Sequence, residues 1–292
     1  MPLDIEQASA VARTLGLDEH ELKIEAVPGG DIAEASLLRA ADATVFVKAL
    51  PLEQAGLLSA EDDGLKALDD TGEVRVPKVI RRGMHDGFAW LALEYLELDQ
   101  RSPRADERLG RQLAAMHRHT GDEFGWHRSN YIGRTPQTNT TVDEWTVFFA
   151  AHRLGAQFDR LRRNQPDSGW NDLKNEVIDA WMRVSDAHEP APSLIHGDLW
   201  RGNAAALSED VPVIYDPSVH YADRECDLAM AHLFGGFDES FYQAYEAAWP
   251  LPEGFETRRF FYKLYHMLNH ANLFGGPYIE ASEQLCRRIL QP

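Results

Sequence analysis

Residues 193–203 read SLIHGDLWRGN. Ser193 to Ile195 opens as an apolar, strand-like run, and polar or turn-forming residues follow at once: His196, Gly197, Asp198, Arg201 and Asn203. An aspartate directly after a buried strand and a glycine is expected at a loop facing a cavity. The next residues, AAALSEDVPVIYD (204–216), read as a hairpin with its turn at Ser208–Pro212 and its end at Asp216. One loop and one hairpin therefore bring two carboxylates and a carboxamide together.

Phosphoryl transfer uses such a set. One carboxylate orients the attacking hydroxyl and accepts its proton, while an amide and a second carboxylate hold Mg²⁺ against the phosphates. The interval from Asp198 to Asn203 reproduces H-R-D-x-x-x-x-N of protein kinases, with Gly197 in place of Arg and Asp216-Pro217 at the start of the D-F-G position. This points to small-molecule kinases of the protein-kinase-like group. The plainer alternative makes Asp198 and Asp216 ordinary turn residues, but the joint pattern is far more specific than either residue.

Outward from this segment, the first third of the chain is strand-rich. Strands are expected at Leu22–Val27, Ala35–Leu38, TVFVKAL (44–50), VPKVI (76–80) and FAWLALEYL (88–96), with RRGMHDG as a turn. Helical period marks 4–17, closed by Gly16, and 52–69. In TVFVKAL, Val45, Val47 and Ala49 share one face, and Phe46 and Lys48 share the other. Lys48 matches the position of the kinase lysine that binds the α/β-phosphates; a snorkelling edge lysine is the alternative. Such a lysine needs an acidic partner on the following helix: Glu61, with Asp62 and Asp63 as rivals. Gly29 and Gly30, in a PGG turn between strands, would let backbone N–H groups approach phosphates, although such a turn is often only a turn. Glu94, Tyr95 and Leu96 fall where adenine would meet a hinge.

After the polar connector ELDQRSPRAD (97–106), helices are expected at 105–119, 142–164, 170–187 and beyond 226. The expected fold is α+β and bilobal, protein-kinase-like, with a strand-rich N-lobe (1–96) and a mostly helical C-lobe (97–292).

With 292 residues and a net charge of −18, the chain lacks the clustered basic residues that nucleic acid requires. Two cysteines make no disulfide framework, and Cys226 lies between Glu225 and Asp227, which disfavour a thiolate. No window has the apolar length of a membrane span, and the N-terminus does not read as a secretion signal. A cytoplasmic protein is expected, monomer or homodimer.

HGDLWRGN, DPSVHYADRECDLAM, LFGGF, IGRTPQTN and LNHANLFGGPY together resemble the fructosamine kinase (ketosamine-3-kinase) family across essentially the whole chain. The resemblance implies ATP-dependent phosphorylation of the 3-hydroxyl of a small-molecule or protein-bound ketosamine, which destabilises the adduct and releases the amine. It makes Asp198 the proton acceptor, Asn203 and Asp216 the metal ligands, and Lys48 the phosphate lysine. Some relatives carry a cysteine in the phosphate loop; this chain has Asp31 there, so redox control is not expected. Trp200 would stack on the sugar, unless it is a core tryptophan. His270, with Asn269, would reach the sugar from the last helices, whereas His266 and His270 make a poor zinc pair. His196, Asp223, Arg224 and Asp227 would support the catalytic loop, surface ion pairing being the alternative for the last three. An aminoglycoside- or choline-type phosphotransferase of the same fold is the competing enzyme, and a nucleotide-binding pseudokinase scaffold is the competitor from another class.

Overall fold

The computed structural model describes residues 3–27, 34–41, 43–165 and 169–291; Gly29, Gly30 and Asp31 lie outside them. Helix α1 (Ile5–Leu15) begins on an Asp4–Gln7 capping box and stops at Gly16 in the left-handed region. Strands β1 (Lys23–Val27), β2 (Glu34–Arg39), β3 (Thr44–Pro51), β4 (Val79–His85) and β5 (Phe88–Glu94) form one antiparallel sheet in the order β1-β2-β3-β5-β4. Helix α2 (Ala55–Asp70) connects β3 to the edge hairpin.

The alternation in β3 separates two environments. Val45 and Val47 pack with α1 residues Ala8 and Val11 on one face of the sheet. Phe46 and Lys48 face the other way, into the cleft described below. Leu58, Leu65 and Leu68 bury the inner side of α2 against Leu91 and Leu93, joining the core shared with the helical part. Each such leucine removed from water contributes about 1.5–3 kcal/mol before entropy is counted.

One expected strand is displaced. Residues 76–78 lie before β4, and most of the stretch read as a turn is strand: Arg81, Arg82, Gly83, Met84 and His85 pair with β5, leaving only Asp86 and Gly87 to turn. β4 is an edge strand with mostly exposed side chains, so it lacks the apolar alternation by which strands are recognised.

The remainder is helical: α3 (Pro103–Met116), α4 (Trp145–Phe149), α5 (Ala156–Asn164), α6 (Trp170–Ser185), α7 (Glu225–Phe234), α8 (Glu239–Ala248), α9 (Phe255–Phe274) and α10 (Pro277–Leu290). A wide helical turn at Ala150–Gly155 interrupts the expected 142–164 helix. Three small antiparallel pairs are inserted here: β6 (Asn130–Ile132) with β7 (Thr135–Gln137), β8 (Ser193–Ile195) with β11 (His220–Ala222), and β9 (Ala204–Leu207) with β10 (Val211–Ile214). The β9–β10 turn is Ser208–Asp210, and Pro212 lies within β10. The β6–β7 pair was not expected from its short, polar strands.

Candidate active site

The β8–β11 pairing decides where the catalytic-type loop goes. It sets Ile195 opposite His220, so the chain leaving β8 passes directly beside residues 216–219. Gly197 makes this possible: its φ is +81°, and a Cβ there would lie 2.2 Å from the Ser218 carbonyl oxygen. An arginine, as in protein kinases, could not occupy this position without moving the backbone. His196 joins the same two segments. Its Nδ1 accepts the Asp198 amide (3.2 Å), leaving Nε2–H to donate to the Tyr215 carbonyl (2.9 Å). Burial keeps this imidazole neutral by lowering its pKa.

Asp227, on the first turn of α7, holds the loop from beneath. It is fully buried and accepts the amides of His196 (2.7 Å) and Gly197 (2.8 Å), with His117 Nε2 at 3.1 Å. Burial alone would raise its pKa, but these partners hold it below the usual carboxylate range. Asp223 and Arg224 face elsewhere. Asp223 meets His188 (2.6 Å) and the Tyr262 hydroxyl (2.6 Å), while Arg224 donates to the carbonyls of Trp249 and Pro250 and stacks over Trp249. The expected bracing of the loop by these two residues is therefore corrected: they tie α7 to α9 and to the end of α8. His188, Asp223 and Glu225 lie close enough to suit a metal, but Arg258 already pairs with Glu225 at 2.6 Å. Cys226 is buried and its thiol is pushed well up by burial.

Above the loop, Asp198, Asn203 and Asp216 line one cleft of about 810 Å³, together with Lys48 and Glu61. Asn203 Nδ2 donates to Asp198 Oδ2 (3.1 Å) and to its main-chain oxygen (2.9 Å), fixing the carboxylate's orientation. Burial, reinforced by the charge of Asp216, pushes the Asp198 pKa up to about 7. Lys48 Nζ bonds Glu61 Oε1 at 2.6 Å and also bonds Asp216 Oδ1. Of the three acidic candidates on α2, Glu61 is thus the partner; Asp62 turns to Lys66 and Arg82, and Asp63 to Trp126 and His127. Burial raises Glu61 to about 7, with Asp216 adding to it, whereas Lys48 outweighs burial at Asp216 and lowers it. Asp216 sits at φ +56°, a left-handed conformation that costs a non-glycine residue about 1–3 kcal/mol.

One cleft thus holds a single ammonium, Lys48, against three carboxylates, of which Glu61 and Asp198 are half-buried and Asp216 is exposed. That surplus of negative oxygen suits a hard divalent cation, whose ligands are carboxylate and amide oxygens. Asn203 and Asp216, which line the cleft with oxygen-bearing side chains, could hold it.

At the other end, Glu94, Tyr95 and Leu96 line the cleft. The Glu94 carboxylate turns to Arg75 (2.5 Å) and the Lys78 amide, and its own amide is taken by the Lys78 carbonyl. Tyr95 and Leu96 are left as the hinge residues able to offer backbone groups. Trp200 is half-buried, lines the cleft and lies over Gly202, where a Cβ would come within 2.3 Å of the indole. His270 does not line the cleft. Phe234 lies between the two, its ring 6.0 Å from Trp200 and 5.0 Å from His270.

Sequence reasoning missed the β6–β7 hairpin as a site element. Tyr131 and Gly133 line the cleft, Gln137 Nε2 donates to Ser218 Oγ (3.1 Å), and Asn130 Nδ2 donates to the Val219 carbonyl (2.7 Å). The buried Arg153 anchors this network by donating to Asn139 Oδ1 (2.6 Å), and Asn139 donates to Asn130. The segment that carries Asp216 therefore rests on polar side chains from three elements. Its one signal in sequence is the polar IGRTPQTN run.

This arrangement defines a protein-kinase-like phosphotransferase. The fructosamine kinase family profile matches residues 5–292, and the chain belongs to that family. A protein named probable ketoamine kinase from Synechocystis sp. is 39% identical over 288 residues, covering 97% of this chain and 96% of its own. The crystal structure of a putative fructosamine-3-kinase from Haemophilus somnus superposes with a TM-score of 0.88 at 28% identity, covering 97% of this chain and 96% of that one. A spectinomycin phosphotransferase in complex with ADP and spectinomycin has a TM-score of 0.59 at 14% identity over 100% of this chain and 96% of its own, a likeness of fold alone.

Proposed function

We propose that this protein uses ATP and Mg²⁺ to phosphorylate the 3-hydroxyl of ketosamines, the sugar–amine adducts of fructosamine or ribulosamine type, and so promotes their deglycation. The observation that carries this reading is the convergence of Asp198, Asn203, Asp216 and Lys48 on one cleft, in a chain whose relatives are named ketoamine kinases. We divide the two lobes at residues 96 and 97.

Asp198 accepts the proton of the attacking hydroxyl and aims its oxygen at the terminal phosphate. Its raised pKa makes it a stronger base than an exposed aspartate, and the Asn203 amide keeps the carboxylate in one orientation. Lys48, positioned by Glu61, binds the phosphates. Mg²⁺ at Asn203 and Asp216 would neutralise the phosphate charge. Tyr95 and Leu96 offer backbone groups to adenine. Trp200 stacks on the sugar beside Asp198.

A coupled ADP-release assay with fructosamine adducts, an aminoglycoside and choline tests this. Ketosamine-dependent ADP release is expected. Turnover of the aminoglycoside or choline alone would assign the acceptor to the other small-alcohol kinases. No ADP release with any of these acceptors would leave a nucleotide-binding scaffold.

A further inference from the structure

Behind Trp200, the cleft wall continues as a chain of aromatic contacts. The indole meets Phe234 edge-on at 6.0 Å, Phe234 meets His270 at 5.0 Å, and His270 meets both Tyr278 (5.1 Å) and Phe274 (5.7 Å). Five rings thus form a continuous strip from the cleft wall to the molecular surface. Its outer end is unusual: Phe274 is 58% exposed, and it is the one phenylalanine left largely exposed among the described residues.

The strip is framed by two loops of the same sequence, Leu-Phe-Gly-Gly, at 233–236 and 273–276. A Cβ at Gly235, Gly275 or Gly276 would meet nothing within 4 Å, so the strip is open there, whereas one at Gly236 would meet the Arg201 side chain at 2.5 Å. An exposed ring continuous with a substrate cleft is a surface that an acceptor's tail can cover, with a gain from the apolar area removed from water. The ring faces are the negative side of an aromatic quadrupole. They accept another ring or an aliphatic chain and disfavour a carboxylate.

We propose that Phe234, Phe274 and Tyr278 form a subsite for the amine portion of the acceptor, selecting ketosamines whose amine carries an aromatic or aliphatic group over those whose amine carries a carboxylate. This rests on the ketosamine reading above: the sugar lies at Trp200 beside Asp198, so the amine substituent leaves along the rings.

The test compares kcat/KM for the fructose adducts of benzylamine and of glycine, in the parent and in Phe274→Ala and Tyr278→Ala variants. The parent is expected to favour the benzylamine adduct by roughly tenfold, the size of one good ring contact. The preference should fall in each single variant and to about twofold or less in the double variant, as KM for the benzylamine adduct rises. The glycine adduct should lose no turnover, and a parent-like far-ultraviolet circular dichroism spectrum shows that the variants fold. Equal kcat/KM for the two adducts in the parent, or a preference that survives the double variant, overturns the subsite. Failure of both adducts in the parent, with ADP released by another acceptor, overturns the ketosamine reading itself and the subsite with it.

Discussion

Asp227, fully buried beneath the catalytic-type loop, and Asp198, half-buried on the loop itself, are treated oppositely. Asp227 receives two backbone amides and an imidazole, and its pKa is held low. Asp198 receives one side-chain amide and faces Asp216, and its pKa is pushed up to about 7. The difference teaches how this fold separates holding from reacting. The satisfied carboxylate fixes the backbone, and the underserved one keeps an affinity for a proton. A reactive base left incompletely solvated costs stability, which the brace beneath it offsets.

The sharpest way to break the comparison is Asp198→Asn. It keeps the shape and the Asn203 contact but cannot accept a proton, so kcat should fall by about 10²–10⁴ with ATP affinity nearly intact. Steady-state ADP release with nucleotide titration checks this, and a parent-like kcat would remove Asp198 from the role of base.

Next in size is Asp227→Ala. It leaves two buried amides without acceptors, and each costs about 1–3 kcal/mol. Urea unfolding should show a loss of about 3 kcal/mol or more, whereas a loss below 1 kcal/mol would mean that the loop is held by other contacts.

A smaller effect concerns pH. Catalysis needs the ionised Asp198, so kcat/KM should rise with pH along an acid limb whose apparent pKa in the free enzyme is about 7. The limb should vanish in Asp198→Asn above its background rate. A limb centred near 4 in the parent would contradict the raised pKa.

The smallest difference lies in stability without ligands. A carboxylate with a raised folded pKa favours folding while protonated, and that contribution is lost as pH rises from about 4 toward about 7. Asp227, with its lowered pKa, acts in the opposite direction and loses its contribution as pH falls below the ordinary carboxylate range. At pH 8, Asp198→Asn should therefore melt a few degrees above the parent, by about 2–4 °C, with the gap closing toward pH 4. Calorimetric scans across that range would show it, and an unchanged or lower melting point at pH 8 would refute it.

Much of this site was legible because its parts are local. Asp198, Asn203 and Asp216 lie within 19 residues on a strand, a loop and a hairpin, whose short-range pattern determines their direction. The β3 alternation likewise put Lys48 and Phe46 on the cleft face. What could not be read depends on partners distant in sequence. Glu61, Asp62 and Asp63 differ only in helical phase, and the position of Lys48 after folding chooses among them. Asp223 and Asp227 look alike in the chain, yet one turns to His188 and the other to the loop amides. The β6–β7 network shows only as the polar IGRTPQTN run, and the turning of Glu94 toward Arg75 has no local signature.

The amino-acid order by itself carried the motifs of the family and set Asp198, Asn203 and Asp216 close together, because strand, loop and hairpin spacing acts over a few tens of residues. Only the tertiary structure decided which carboxylate is satisfied and which is left reactive. That choice depends on burial and on hydrogen-bond donors from the ends of α3 and β8 and from Asn203 before β9 meeting these carboxylates in space, and solvation of a charge is a property of its surroundings, not of its neighbours in the chain.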